Sequence, residues 1–274
     1  MSKLILGLVG SPRRYGNCEV YIKEITTYMD FEHRLELIRL PGLNIMPCNA
    51  CYSCIMDSPC PHKDHLERLI EHIVRADGII IATPVYYFGA HSIFKRILDR
   101  GFLFYRYLER TYGKPCILIN IYGIRDRIGV SPQALMVLAT FLGLDIKASV
   151  NIKAALPGEV FFSEVYRKKA KQLADIIFSE KKAINTYGCP FCSSEIVRMK
   201  KDYFICTLCH GRFRIDENGR RIKIKEGGVI GPPEHMFLHR DWLRGMKARF
   251  LSSRKKIMRA IMPLNSIGEW VNLD

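Results

Sequence analysis

Apolar and polar positions fall into alternating blocks along the first 180 residues. Leu4 to Val9 is an unbroken apolar run closed by Gly10, the pattern of a strand buried on both faces. Asn17 is placed to cap a helix carrying Val20, Tyr21, Ile25 and Tyr28 at helical spacing. His33 to Leu40 predicts a second strand, and Pro41 to Pro61 a long loop. Leu66, Leu69, Ile70 and Ile73 define one face of a helix over Asp64 to Ala76. Gly78 to Thr83 reads as a short buried strand stopped by Pro84, and Ser92 to Leu108 as a helix. Pro115 to Tyr122 predicts a fourth strand, Gln133 to Leu142 a helix, and Leu144 to Val150 a fifth strand. A long helix over Glu159 to Ala183 closes the block, with Val165, Ala170, Leu173, Ile176 and Ile177 facing inward.

Strand and helix alternate five times, and the strands are apolar throughout. That predicts an α/β fold: a doubly wound five-stranded parallel sheet covered by helices on both faces, in the flavodoxin-like order, with its ligand at the carboxyl ends of the strands. The texture changes after Tyr187. Residues 185–226 form a small module with two Cys-x2-Cys knuckles, and residues 227–274 a Gly/Pro linker followed by a basic helix from Glu234 to Met262. The expected domains are therefore 1–184, 185–226 and 227–274.

The chain has 274 residues, 48% of them hydrophobic, enough for a real core. Its formal charge of +15 suits anionic cofactors, phosphates, nucleic acid or a membrane surface. The N-terminus lacks the apolar core and cleavage site of a signal peptide, and no stretch is long enough to span a bilayer. These features predict a cytoplasmic protein, where clustered cysteines hold metal more often than they form disulfides.

Cys48, Cys51, Cys54 and Cys60 lie within thirteen residues as Cys-x2-Cys-x2-Cys-x5-Cys. Consecutive x2 spacings with a nearby fourth thiol suit an iron–sulfur cubane. Zinc, a disulfide pair and four unrelated thiols are the alternatives. Cys189, Cys192, Cys206 and Cys209 form a second set with the spacing of a zinc ribbon or a rubredoxin-type iron site, zinc being favoured. Ser193 and His210 follow its knuckles where rubredoxin-like modules often carry Gly, and His210 is read as a bystander. His62, His65 and His72 are read as surface or interface residues.

Gly10 to Cys18, GSPRRYGNC, joins the first strand to the first helix. A helix N-terminus with free N–H groups binds phosphate. Gly10 and Gly16 permit close approach, Ser11 and Asn17 add neutral donors, and Arg13 or Arg14 adds charge. The loop is neither a Walker loop nor a G-x-G-x-x-G fingerprint, and it suits a mononucleotide. Thr83-Pro84-Val85-Tyr86-Tyr87-Phe88-Gly89 ends a central strand with three aromatics able to flank a flat ring.

Together GSPRRYGNC and TPVYYFGAHSIFKRILDR resemble the two signatures of the NADPH-dependent FMN reductase-like flavodoxin superfamily. The cysteine run between them resembles its iron–sulfur flavoprotein branch. The resemblance covers residues 1 to 184. It implies FMN held by Ser11, Arg13, Asn17 and Cys18 and by Thr83 to Gly89, a [4Fe–4S] cluster on Cys48, Cys51, Cys54 and Cys60, and a homodimer or homotetramer. Cys18 stands where the family usually has Thr or Ser, and a thiol is a weak donor.

The expected function is electron transfer between a reduced donor, ferredoxin-like or NAD(P)H, and an acceptor. Two alternatives remain at this point: an NAD(P)H:FMN or quinone reductase without a cluster, and a redox-responsive nucleic-acid-binding regulator using the ribbon and basic tail. No Ser–His–Asp or paired-carboxylate arrangement stands out, so no catalytic side chain is assigned. The C-terminal helix is expected to line up Leu238, Trp242, Met246, Phe250, Ile257 and Ile261 for packing on another subunit, with its basic face in solvent.

Overall fold

The computed structural model describes residues 2–183, 187–228, 231–264, 266–268 and 271. The expected domain boundary at 184/185 and part of the Gly/Pro linker lie outside them. Strands β1 (Lys3–Val9), β2 (His33–Arg39), β3 (Gly78–Tyr86), β5 (Pro115–Tyr122) and β6 (Asp145–Lys153) form a parallel sheet in the order β2-β1-β3-β5-β6. The two-residue β4 (Gly89–Ala90) pairs antiparallel with the end of β3. This is the flavodoxin-like order, and the order in which successive strands are added reverses at β1/β3. One face buries Leu6, Leu8, Ile79 and Ile81 under α2 (Leu66–Arg75), α3 (Ser92–Asp99) and α5 (Ser131–Phe141). The other buries Ile5, Val9, Ile80 and Ile119 under α1 (Asn17–Thr27) and α6 (Glu164–Ile176). Burial on both sides is why the central strands β1, β3 and β5 are almost wholly apolar, while the edge strands β2 and β6 carry charged residues.

Several local expectations are corrected. Pro84 does not stop β3, which runs on to Tyr86. The Ala82 carbonyl faces β1, accepting from Gly10 N. Backbone groups alternate in direction along a strand, so the donor missing at Pro84 faces the same side, beyond the last rung of β1 at Val9↔Ala82. The helix expected over Ser92 to Leu108 ends at Asp99, giving way to a 3-10 stretch (Gly101–Arg106) and the short α4 (Leu108–Thr111). Arg100 leaves helical geometry to bury its guanidinium, and Gly101 is a poor helix former. The helix expected over Glu159 to Ala183 is a 3-10 turn (Glu159–Phe162) followed by α6, divided by Ser163 in extended conformation. Val165 is exposed, whereas Ala170, Leu173 and Ile177 are buried as expected. The helix stops at Ile176 because the chain must return to the sheet edge, where Ala183 N donates to Lys147 O at 2.8 Å. Asn17 does not cap α1; Gly16 holds that position, and the Asn17 side chain reaches the end of β6.

The ribbon is a four-stranded antiparallel sheet of β7 (Val197–Met199), β8 (Phe204–Cys206), β9 (Arg212–Ile215) and β10 (Arg221–Lys225). Its Leu208 and Phe213 join the core on the α5 side, and Ser194 Oγ donates to Gln133 Oε1 at 2.5 Å. The last helix, α7 (Pro233–Ile261), packs on its own chain through Met236 and Leu243. The apolar row expected to pack on another subunit (Leu238, Trp242, Met246, Phe250, Ile257, Ile261) is exposed at every position on this chain. A helix of 29 residues is about 44 Å long, so only its first half has a domain surface to lie on. No helix among the described residues is long and apolar enough to cross a membrane.

At the tip of the β3–β4 hairpin, Tyr87 and Phe88 both have positive φ, 46° and 65°. Gly129, itself at φ +61°, lies beneath this turn; a Cβ there would stand 2.1 Å from the Phe88 carbonyl oxygen. Gly129→Ala is therefore expected to cost about 1–3 kcal/mol, read as a lowered thermal midpoint. An unchanged midpoint would mean that the turn is not held as described.

Candidate functional site

At the carboxyl edge of the sheet a crevice of 220 Å³ is lined by Ser11, Arg13, Gly16, Asn17 and Cys18 after β1 and by Pro84, Val85 and Tyr86 at the end of β3. Ile121, Gly123, Ala154, Ala155 and Pro157 complete it from β5 and β6. The two motifs, some seventy residues apart in sequence, thus meet at the switch point of the sheet, where open α/β folds bind ligands. No side chain caps α1, so its first N–H groups remain for an anion. A Cβ on Gly16 would come within 3.3 Å of Ser11 Oγ, crowding the cradle.

Arg39 stiffens the loop from outside. It donates to the carbonyls of Ser11 at 2.9 Å and Arg13 at 2.6 Å, and pairs with Glu19 at 2.5 Å. Burial alone would raise the Glu19 carboxyl, but Lys23, Arg39 and the Tyr15 N–H outweigh it and bring it down to about 2. Burial pushes Cys18 up to about 12, so it faces the crevice as a neutral thiol. Asn17 donates to the Ala154 and Leu156 carbonyls, while its buried Oδ1 has no partner. That orphaned acceptor suits a ligand hydroxyl.

Other expected contacts lie elsewhere. Thr83 is fully buried, accepting from His91 N and donating to Pro84 O. Tyr87 and Phe88 project from the hairpin tip into solvent, and Gly89 lies in the strand behind them.

A second cavity, of 320 Å³, is walled by Cys48, Cys51, Cys54 and Cys60 together with His62, Arg100 and Phe102. Left-handed backbone at Ala50, Tyr52 and Asp57 curls the loop, and all four cysteines line the one cavity. Arg100 is buried, donates to Cys60 Sγ at 3.2 Å and forms a buried ion pair with Asp64. Asp64 also accepts from Met46 N at 2.7 Å and Leu66 N at 3.2 Å. His62 precedes α2 rather than lying on it, and its buried Nε2 has no partner at the cavity wall. The donor set fits an inorganic cluster: soft thiolates around a space, with a buried cation and an imidazole at its edge. From α7, Arg244 donates to Ile55 O at 2.7 Å and pairs with Asp57 at 2.5 Å, clasping the same loop. Helix α3, eight residues and so about 12 Å long, runs from the hairpin at the first cavity to Asp99 in the wall of the second.

The ribbon thiols are arranged differently. Cys189, Cys192, Cys206 and Cys209 bring their four sulfurs within 4.8 Å of one another, with pairs at 3.6 and 3.5 Å. Tetrahedral thiolates 2.3 Å from one ion stand about 3.8 Å apart. Among the described residues this is the one such group; the first cysteine set is spread around its cavity, as a multi-iron cluster requires. Ser193 and His210 hold φ of 62° and 61°, the conformation that makes glycine common there. Leu208 N and Gly211 N donate to Cys206 and Cys209 Sγ at 3.4 and 3.3 Å.

Sequence reasoning missed Arg39, Arg100 and Arg244. Each is one arginine among many, and no spacing rule separates them from surface cations.

A doubly wound sheet with a crevice at its switch point, matched by an FMN reductase family model, makes this a flavin-dependent oxidoreductase. The chain belongs to the iron–sulfur flavoprotein branch of the NADPH-dependent FMN reductase family, whose model matches residues 4–156. An iron–sulfur flavoprotein of Archaeoglobus fulgidus is 30% identical over 197 residues, covering 68% of this chain and 95% of the relative. One of Methanosarcina thermophila is 33% identical over 125 residues, covering 44% and 64%. The chain spans about half (51%) of a Methanocaldococcus jannaschii relative, at 32% identity and over 35% of its own length. A solved flavone reductase shares the fold at a TM-score of 0.70 and 17% identity, covering 98% of this chain and 99% of its own.

Proposed function

We propose that this protein moves electrons between NAD(P)H or a reduced redox protein and an acceptor, using FMN in the first cavity and a [4Fe–4S] cluster on Cys48, Cys51, Cys54 and Cys60. The observation that carries this reading is a pair of cavities joined by α3, each with an orphaned buried polar atom, Asn17 Oδ1 and His62 Nε2. Bound FMN takes up hydride and releases electrons singly, and an iron–sulfur cluster carries one at a time. The chain's residues bind and orient. Ser11, Arg13, Gly16, Asn17 and the start of α1 hold the phosphate and ribityl chain; Pro84, Val85 and Tyr86 border the ring. Arg100 places positive charge on Cys60, and α7 covers the thiol loop. Tyr87, Phe88 and Gly89 are proposed to meet a second copy in a homodimer or homotetramer. We assign zinc to the ribbon cysteines, on the support of their single-ion spacing, as a structural metal.

Anaerobic analysis of the purified protein should find about four iron, four sulfide, one flavin and one zinc per chain. The Cys48→Ser, Cys51→Ser double variant should lose iron and sulfide but keep flavin and zinc. Flavin without sulfide in the native protein would sink the cluster and leave a plain reductase.

A further inference from the structure

A third cavity, of 440 Å³, lies where the ribbon, α5, the 3-10 stretch after α3 and the start of α7 meet. Its walls include Tyr105, Phe141, His210, His235, His239 and Trp242, and no residue lines both this cavity and the flavin crevice. The wall is almost wholly apolar and aromatic, with imidazoles as its main polar groups. His239 stacks on Trp242 with ring centres 5.8 Å apart and planes at 16°. Tyr105 Oη lies 2.7 Å from His239 Nδ1. Burial pushes Tyr105 up to about 12, so its hydroxyl keeps its proton. In the tautomer that accepts this proton at Nδ1, His239 carries its own hydrogen on Nε2, a donor not engaged by Tyr105. Phe102, in the wall of the thiol cavity, stacks parallel to Tyr105 at 6.4 Å and 9°. The third cavity is thus separated from the thiol cavity by the stacked Phe102–Tyr105 pair.

We propose that this cavity binds a flat, quinonoid ring compound, stacked against the His239–Trp242 pair and held by a hydrogen bond from His239 to a ring carbonyl. The chemistry follows from the walls: parallel aromatic faces select a planar ring, the His239 imidazole beside them offers an N–H to an acceptor oxygen, and no charged side chain lines the cavity to hold an ion. It goes beyond the flavin and cluster assignment and does not depend on which metal the thiols hold.

The test is equilibrium binding of duroquinone to the oxidised holoprotein; its fully methylated ring leaves no position for thiol addition. The chain has two tryptophans, Trp242 and Trp270. Duroquinone should quench tryptophan fluorescence saturably in the native protein and in Trp270→Phe, but not in Trp242→Phe. Dialysis should find one site fewer in Trp242→Ala. His239→Leu should weaken binding about tenfold, the usual worth of a lost hydrogen bond, and His239→Gln, which keeps a donor, should recover part of it. Absence of a saturable quench overturns the proposal. So does binding lost in Tyr86→Ala but unchanged in His239→Leu, which would place the ring in the flavin crevice.

Discussion

Arg100→Met should lower stability by about 3–5 kcal/mol, the usual result of removing one partner from a buried ion pair. Both side chains of the Arg100–Asp64 pair are almost fully buried, at 2% and 1% exposure. Without Arg100, Asp64 becomes an unpaired buried carboxylate and the carbonyl of Met46 loses a donor. Asp64→Asn in the same background should recover part of the loss, because a neutral amide tolerates burial and its one oxygen keeps one of the two N–H donors, Met46 or Leu66, that Asp64 takes on separate oxygens. Chemical denaturation measures both variants; an Arg100→Met loss under 1 kcal/mol would show that the pair is not sequestered.

The same pair sets an acid limit. Burial pushes the Asp64 carboxyl up, but the Met46 and Leu66 N–H groups and Arg100 outweigh it and hold it below the usual carboxylate range. A depressed folded-state value means the stabilisation is complete above the unfolded Asp value of about 3.9 and is lost as pH falls through the folded one. The native protein should therefore lose stability below about pH 4, and the Asp64→Asn, Arg100→Met double variant less steeply.

Withdrawing the zinc proposed for the ribbon should have a still larger local effect. Structural zinc in small modules contributes about 10–16 kcal/mol of apparent binding free energy, which is also folding free energy. Without a dication the four crowded thiols compete for protons: hydrogen bonding among them drives Cys206 down and Cys192 up. Chelation, or a Cys206→Ser, Cys209→Ser variant, should open β7 to β10 to hydrogen exchange and protease. The parallel sheet, whose core does not need the metal, should keep its flavin. A ribbon still protected after zinc loss would show that its packing through Leu208 and Phe213 suffices.

Both effects come from places where the sequence was only partly readable. The parallel sheet was legible because buried strands carry unbroken apolar runs; β5 is found over Pro115–Tyr122 as its pattern required. The flavin crevice was half legible. Ser11, Arg13, Gly16, Asn17, Cys18, Pro84, Val85 and Tyr86 come together, but the β6 side, Ala154, Ala155 and Pro157, carries no chemical signal. Tyr87 and Phe88 share the composition of Tyr86, yet a two-residue turn points them away from the crevice. The ends of α3 and α6 were misjudged because a buried guanidinium and a return to the sheet edge end those helices, and periodicity reports neither.

Fold class, the position of the Gly10–Cys18 loop at the sheet's carboxyl edge and the two thiol sets were legible in the sequence alone, since each rests on periodicity or spacing within a few dozen residues. Tertiary structure alone decided that one thiol set closes to single-ion distance while the other opens around a cavity. It also decided that Arg100 reaches Cys60, 40 positions away, and that Arg244 reaches Ile55, 189 positions away. Those contacts depend on where folding carries distant segments, and a solvated arginine and a buried one are spelled alike.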